Sequence, residues 1–178
     1  MLLRAAKQYD RPSHATATFV MQTALNGIPV LAQGFISLTE PTGRNCSVHT
    51  LRPSEVELFW NHVEPLLEKV VPHSEGELEP EDFLPLLKSG EMDLWIAIMD
   101  KRVIAAMITQ IIPYPRKNVC RILAVAGEGM SIWMQYFPML EKWARERDCK
   151  HIELWGRKGW LRVLKDWKNS YHILTKEI

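Results

Sequence analysis

Three apolar segments of strand length follow one another between Leu94 and Gly127, and this run constrains the fold most strongly. The segments read LWIAIMD, VIAAMITQII and NVCRILAVAG, and only short polar turns separate them. Apolar runs of this length with polar turns between them are typical of strands joined by hairpins. They predict an antiparallel meander in the middle of the chain, to which the other elements must be added.

Helical and strand patterns on both sides of the meander predict a mixed sheet covered by helices. A short strand, VHTLRP, and two helical patterns, EVELFWNHVEPLLEKVV and PEDFLPLLKSG, come before it. After it come a helical pattern, SIWMQYFPMLEKWARERDC, a strand, HIELWG, a short amphipathic helix, GWLRVLKDW, and a final strand, YHILTKEI. The order is β-α-α-β-β-β-α-β-α-β, and its β-α-β crossover adds a parallel pair. The predicted fold class is α+β, an α/β/α sandwich around a mixed central sheet.

The first 47 residues predict an N-terminal β-hairpin extension and a linker, followed by a main domain over residues 48–178. Two β-type runs, TATFVMQTAL and IPVLAQGFISL, flank Asn26-Gly27. Both residues of that pair tolerate the positive φ that a tight hairpin turn requires. An isolated hairpin is only marginally stable in water. It must therefore pack on its own domain or on a partner protein, and a partly disordered tail is the open alternative.

Charge is unevenly distributed along the chain, although the formal net charge is only +1. Residues 54–93 contain eleven acidic and two basic residues, whereas residues 142–176 contain ten basic and four acidic ones. One part of the molecule should attract anions and another repel them, unless both are ordinary solvated faces.

The number and spacing of the cysteines and histidines bear on disulfide bonding and metal binding. The three cysteines form no CxxC motif, and the six histidines have no metal-binding spacing. This pattern argues against a disulfide scaffold and a zinc site, and it suits the reducing cytoplasm. We expect no signal peptide, and no apolar run is long enough to cross a bilayer.

The most informative local motif is AVAGEGMSIW, from Ala124 to Trp133, in which two glycines flank Glu128. Gly-x-Gly frees the backbone to approach a ligand closely, and the N-terminus of a following helix favours anions. No Gly-Lys-Ser/Thr follows, so the motif is not a P-loop, and it lacks the third glycine of a dinucleotide fingerprint. A phosphate cradle and a structural turn both remain open. Pro138 bears on the choice, because a helix that begins there leaves only a short turn facing the loop.

The order of elements over residues 48–178, the apolar strand followed by a glycine loop, and the ending LRVLKDWKNSYHILTKEI resemble the GNAT family. These proteins are acetyl-CoA-dependent N-acetyltransferases. More narrowly, YPRKNVCRILAVAGEGMSIW and the later WARERDCKHIELWGRKGWLRVL resemble small GNAT-like proteins encoded by tailed phages, whose genes often lie among virion-assembly genes. The resemblance implies a GNAT fold, acetyl-CoA as co-substrate and an amine as acceptor. The narrower one implies a location in the host cytoplasm or in the virion.

The resemblance also implies which residues hold acetyl-CoA. They lie on the fourth strand of the family's order and in the loop after it: Ala124, Val125, Ala126, Gly127, Gly129 and Ser131. The first four would contact the pantetheine arm through backbone groups, and Gly127, Gly129 and Ser131 would contact the pyrophosphate. The chain departs from the family's loop pattern, since no Arg or Gln stands three residues before Gly127, and Glu128 brings a negative charge to the loop.

Glu153 and Tyr171 are the candidate catalytic residues that the resemblance implies. Acetylation of an amine needs a base to keep the amine neutral and an acid to protonate the leaving thiolate. Glu153 on the fifth strand is the candidate base. Tyr171 is the nearest phenol for the acid, because Arg162 stands near the position of the family's tyrosine. A structural ion pair at Glu153 and an edge aromatic at Tyr171 remain open alternatives.

Two functions follow from these observations. The first is acetyl transfer from acetyl-CoA to an amine of a protein or small molecule. The second is a catalytically silent GNAT-fold module for virion assembly, structure or host-factor binding, which grips a protein partner through its N-terminal arm. Glu128 and the missing tyrosine favour the second. The run WGRKGWLRVLKDWK mixes tryptophans with cations, but core tryptophans under a solvated basic face explain it more simply than nucleic acid binding does.

Overall fold

The computed structural model describes residues 24–25, 28–29, 33–39, 45–74, 76–170, 174–176 and 178. The chain divides into two compact units, Met1–Leu31 and Ala32–Ile178. In the first unit, β1 (Ala24–Leu25) pairs with β2 (Ile28–Pro29) in antiparallel fashion. This antiparallel pair agrees with the hairpin that the sequence predicted, and the predicted turn residues, Asn26 and Gly27, lie outside the described part.

The second unit is built on a six-stranded mixed sheet in the order β3-β4-β5-β6-β7-β8. Its strands are β3 (Gln33–Thr39), β4 (Asn45–Leu51), β5 (Asp93–Met99), β6 (Arg102–Tyr114), β7 (Lys117–Gly127) and β8 (Cys149–Leu154). All neighbours are antiparallel except β7 and β8, which are parallel. The predicted meander is therefore confirmed as β5-β6-β7, and the predicted crossover as the connection from β7 to β8.

Strand β3 lies on the N-terminal side of the boundary that the sequence predicted between residues 47 and 48. It pairs with β4, with Leu38 opposite Cys46 and Thr39 opposite Asn45. A segment expected in the arm thus supplies an edge strand of the main sheet. The physical reason is that β4 would otherwise leave a row of backbone N–H and C=O groups without partners.

Four α-helices surround the sheet among the described residues: α1 (Val56–Leu67), α2 (Pro80–Ser89), α3 (Met130–Trp133) and α4 (Phe137–Arg145). Short 3₁₀ turns cover Val71–His73, Met134–Tyr136 and Lys158–Arg162. The helical spacing predicted for the first helix is confirmed by its buried residues, which are Val56, Phe59, Trp60, Val63 and Leu67. Helix α2 ends at Gly90, whose φ of 78° places it in the left-handed conformation that favours glycine at this position.

The helix after the glycine loop is interrupted as Pro138 predicted. Regular helix α4 starts at Phe137 with the proline in its first turn, and α3 before it has only four residues. A 3₁₀ turn joins the two.

The core occupies both faces of the central strands. Leu94 and Ile96 alternate along β5 with Trp95 and Ala97, so the two pairs lie on opposite faces. Trp95 and Ala97 belong to a cluster with Leu140 and other residues of the α3–α4 region. Helix α1 contacts β6 and β7. The arrangement is the predicted sandwich of helices on both faces of a mixed sheet.

The end of the chain differs from the prediction. The segment expected as an amphipathic helix forms the five-residue 3₁₀ turn Lys158–Arg162. Trp160 packs so closely on Gly156 that a Cβ there would lie 2.7 Å from the indole Cδ1. This packing fixes a tight turn in place of a helix. Of the predicted final strand, residues 174–176 have no regular structure, and residues 171–173 and 177 lie outside the described part.

Candidate functional site

The pairing of β7 with β8 stops before β7 ends, and we call the part of β7 beyond that point, residues 123–127 with its unpaired edge, the fork. Their last paired residues are Ile122 and Leu154. Strand β7 then continues through residues 123–127, which pair only with β6; Ala124 lies opposite Ile108. The backbone groups of this segment that face away from β6 have no partner strand among the described residues. The fork contains four of the residues predicted to bind the cofactor, Ala124 to Gly127.

A β-bulge marks the start of the fork. Ile122 lies opposite Thr109 and Ala124 lies opposite Ile108, so Leu123 is an extra residue in β7. A bulge bends its strand and increases the local twist, and this one lies directly after the last β7–β8 pair. Leu123, Ala124 and Val125 are partly exposed, whereas Ala126 is buried.

Gly127 is required by packing on β6. Its φ is +130°, and a Cβ built on it would lie 2.3 Å from the carbonyl oxygen of Ile104 and 2.4 Å from the Cα of Ala105. The next residue, Glu128, donates its backbone N–H to that same carbonyl at 2.9 Å. The first glycine of the motif therefore has a structural explanation that needs no ligand.

The second glycine, Gly129, is the first of three consecutive residues whose backbone N–H groups are available as donors. Gly129 is the N-cap of α3 with φ of 66°, and its carbonyl accepts the N–H of Ile132 at 2.8 Å. Within the described residues, no hydrogen bond uses the N–H groups of Gly129, Met130 or Ser131. The first N–H groups of a helix lack partners in the helix itself, and such donors suit a phosphate.

The fit of this loop to a pyrophosphate is partial. Three adjacent amides favour it, but α3 is so short that its dipole contributes little. Glu128 is exposed beside the amides. A carboxylate about 4 Å from a phosphate charge costs about 1 kcal/mol in water, and an exposed side chain can turn away from it.

Glu153, the candidate base, lies on β8 at the pair that precedes the fork. Its Oε1 accepts a hydrogen bond from Arg121 Nε at 2.6 Å. The two side chains are 20% and 17% exposed. The carboxylate is therefore engaged in an ion pair, which is the structural alternative that the sequence left open.

The phenols beside the sheet are also engaged. Tyr136 donates its hydroxyl to the carbonyl of Cys46 at 2.6 Å and is buried. Tyr114 lies 3.4 Å from Arg121 Nη2. Tyr171, the candidate acid, lies outside the described residues, so its role stays a prediction.

Sequence reasoning missed Arg121 and Trp155. Arg121 sits within an apolar run, and Trp155 was read together with the basic segment that follows it. The guanidinium carbon of Arg121 lies 4.0 Å from the centre of the Trp155 ring. Only the register of β7 and β8 brings the two together, and no motif in the sequence signals that register.

The cysteines offer no nucleophile. All three are free and buried. Burial raises the pKa of the Cys120 thiol to about 12, and burial also raises the pKa of Cys149. Both thiols are therefore neutral at physiological pH, whereas a nucleophilic cysteine must be a thiolate. In the described part of the chain, no group of His, Cys, Asp and Glu side chains is arranged to hold a metal ion.

Two cavities lie near the sheet, and neither reaches the amides after Gly127. An apolar cavity of about 30 Å³ lies beneath the α3–α4 region, lined among others by Val125 and Trp133. A cavity of about 320 Å³ lies between α4 and β8, beside Arg145 and Trp167. The fork is the edge of β7 that has no pairing strand in the described part, and of its residues Val125 also lines the first cavity.

No described helix has the length and apolar character needed to cross a membrane.

Solved structures of acetyltransferases share this fold. An aminoglycoside acetyltransferase from an uncultured soil metagenomic sample aligns with 13% identity and a TM-score of 0.56, over 75% of this chain and 97% of that one. A ribosomal-protein-alanine N-acetyltransferase from Brucella melitensis biovar Abortus 2308 aligns with 14% identity and a TM-score of 0.55, over 75% and 97%. A predicted acetyltransferase from Clostridium acetobutylicum, solved with acetyl-CoA, aligns with 17% identity and a TM-score of 0.56, over 74% and 96%.

These likenesses show that the chain has the GNAT acetyltransferase fold, and the predicted fold class is confirmed. No family model and no curated protein matches the sequence.

Proposed function

We propose that the chain binds acetyl-CoA in the fork and transfers the acetyl group to an amine. The observation that carries the proposal is the end of β7–β8 pairing beside three adjacent N–H groups, those of Gly129, Met130 and Ser131. The likeness to acetyltransferase structures, one of them solved with acetyl-CoA, supports the choice of ligand.

The backbone of the fork suits the pantetheine arm. Residues 123–127 of β7 are paired with β6 on one side and with no described strand on the other. Their outward N–H and C=O groups can bond an extended arm much as they would bond a strand. With the phosphates on the amides after Gly127, the arm would run down β7 and place the acetyl end near Leu123.

Catalysis in this arrangement depends on positioning. The amine nitrogen attacks the thioester carbon, the C–S bond breaks, and the thiolate of CoA takes up a proton as the amine loses one. Holding the two reactants together can by itself supply a large part of the rate enhancement. Glu153 Oε1 accepts a hydrogen bond from Arg121 Nε at 2.6 Å, so the proposed transfer does not use Glu153 as a base.

The test is calorimetric titration with acetyl-CoA, combined with an assay for CoA release in the presence of candidate amines. Gly129→Asp adds a negative charge at the amides and should weaken binding at least about tenfold, because like charges repel in a partly enclosed site. Gly76→Asp is the matched control, since Gly76 also has a positive φ and no atom near its Cβ position. It should bind as the unmodified chain does. Absence of binding at millimolar acetyl-CoA would remove the proposal.

A second function is favoured by one observation, the commitment of Glu153 to Arg121. We propose as the alternative a catalytically silent GNAT-fold protein of phage origin, serving virion assembly or binding a host factor. In that case the N-terminal arm would recruit the protein partner. Removal of residues 1–31, which form a compact unit of their own, should then abolish recruitment and leave acetyl-CoA binding unchanged.

A further inference from the structure

An ion pair and a stacked tryptophan join β7 to β8 immediately before the fork. Arg121 and Glu153 are register partners, and the next pair, Ile122 and Leu154, is the last between the two strands. Arg121 Nε donates to Glu153 Oε1 at 2.6 Å. The same guanidinium lies over the ring of Trp155, 4.0 Å from its centre. We call Arg121, Glu153 and Trp155 the clasp.

The clasp holds β8 at two points with one side chain. Glu153 and Trp155 are two residues apart, so they point to the same side of an extended chain. One guanidinium from β7 therefore contacts a residue inside β8 and the first residue beyond its end. Trp155 is 57% exposed, and its ring lies against the Arg121 guanidinium.

The environment makes this ion pair stronger than an ordinary surface pair. The Arg121 and Glu153 side chains are 17% and 20% exposed, whereas those of the Arg145–Glu141 pair on α4 are 70% and 48% exposed. Solvent screens an exposed pair and leaves it with little net effect, while a partly shielded charge-assisted hydrogen bond is stronger. Arg145 and Glu141 thus provide a natural internal control.

The clasp and the bulge meet at the last pair of β7 and β8. The ion pair of the clasp precedes that pair, whereas Trp155 and the extra residue Leu123 of the bulge follow it. The clasp therefore contacts β8, which is only six residues long, and the residue directly after it. Without the clasp, the end of β8 could leave β7 and the fork would deepen towards Asn118.

We propose that the clasp is a positioning device that fixes the depth of the fork, and so the place where the acetyl end of acetyl-CoA stops. This inference rests on the proposed function. The five residues of the fork span about 16 Å at the usual rise of a strand. That length suits an extended pantetheine arm and exceeds what a phosphate group would need. Glu153 then acts through Arg121, and it is a positioning residue instead of a base.

The positioning role of the clasp can be tested by comparing acetyl-CoA with a ligand that lacks the pantetheine arm. Adenosine 3′,5′-bisphosphate carries phosphates but no pantetheine arm, so it should depend on the amides after Gly127 and not on the clasp. Calorimetric titration of Arg121→Gln and Glu153→Gln should show acetyl-CoA binding weakened by roughly tenfold, which corresponds to the loss of one or two backbone hydrogen bonds to the arm. The affinity for adenosine 3′,5′-bisphosphate should stay within about twofold of the unmodified chain.

Controls separate this role from a general loss of stability. Arg145→Gln removes a cation from the exposed pair on α4 and should leave both affinities unchanged. Trp155→Leu removes the stacking from a mostly exposed position, so it tests the clasp even if the ion-pair variants fail to fold; it should weaken acetyl-CoA binding in the same direction by less.

Three results would overturn the inference. One is acetyl-CoA binding in the clasp variants equal to that of Arg145→Gln, and another is an equal loss for both ligands, which indicates a purely structural pair. Absence of acetyl-CoA binding to the unmodified chain would remove the proposed function, and the inference with it.

Discussion

The two halves of β7 differ in sequence and in surroundings, and the wholly apolar half, residues 123–127, is the less buried one. Residues 117–122 pair with β6 on one side and β8 on the other, and Val119, Cys120 and Ile122 are almost completely buried. Residues 123–127 pair with β6 alone, and three of them are partly exposed. The difference teaches that neither composition nor strand propensity decides which half is core. The visible difference is the neighbouring strand: β8 ends at Leu154, opposite Ile122, so only the first half of β7 is paired on both sides.

The largest expected effect falls on Gly127, the last residue of the fork, because a Cβ added there has no room beside β6. Gly127→Ala should lower the free energy of unfolding by about 4 kcal/mol, from overpacking and a strained positive φ together. The reason is the 2.3 Å approach of its Cβ position to a backbone carbonyl, which no side-chain movement can relieve. Urea unfolding measures the change. Gly76→Ala is the control: it shares the positive φ, meets no atom within 4 Å and should lose about 1 kcal/mol. Equal losses at both positions would contradict the packing explanation.

Truncating Ile122, in the last β7–β8 pair, and Leu123, directly after it, sharpens the comparison. Ile122→Ala should cost about 3 kcal/mol, because the side chain is 1% exposed and its removal leaves a cavity. Leu123→Ala should cost about 1 kcal/mol, since that side chain is already partly exposed. Denaturant titration of the two variants gives the difference. A Leu123 variant as unstable as the Ile122 variant would show that the fork is closed by packing.

The smallest expected effect comes from acid, and it acts on the packed part of the sheet. His49 on β4 is 3% exposed, and its Nε2 lies 2.7 Å from Ser47 Oγ. Burial lowers its pKa below the ordinary 6.5, and the charge of Glu55 offsets part of that. The neutral form is therefore favoured by folding. Its contribution is complete above about pH 6.5 and is lost as the pH falls through the folded pKa.

The free energy of unfolding should thus fall between pH 7 and pH 5 more steeply in the unmodified chain than in His49→Gln, which cannot gain the proton. Thermal or urea unfolding at several pH values measures the two slopes. Parallel slopes would show that other groups cause the acid sensitivity.

Local patterns in the sequence were enough to predict most of the fold. The meander, the buried face of α1, the break at Pro138 and the hairpin around residues 26–27 each depend on neighbouring residues, and the structure confirms them. The place of β3 in the main sheet and the turn at Lys158–Arg162 were not predicted, because neither is fixed by the hydrophobic pattern of its own segment. The first depends on pairing with β4, and the second on the packing of Trp160 over Gly156.

The site was predicted less completely for the same reason. The glycine loop was visible in the sequence, but the separate tasks of its glycines were not: Gly127 packs on β6, whereas Gly129 begins a turn with three N–H donors. Glu153 was correctly placed on a strand. Its ion pair joins residues 32 positions apart, and that distance is bridged by the β7–β8 register alone.

The most direct test of the account is a titration of ¹⁵N-labelled protein with acetyl-CoA, followed by amide chemical shifts. If acetyl-CoA binds along the fork, the largest chemical-shift changes fall on the amides of Gly129, Met130 and Ser131 and on those of residues 123–125. Two results would contradict the claim that acetyl-CoA binds along the fork. One is a set of shift changes concentrated elsewhere, such as around Trp167 in the cavity between α4 and β8, and the other is no change at millimolar ligand.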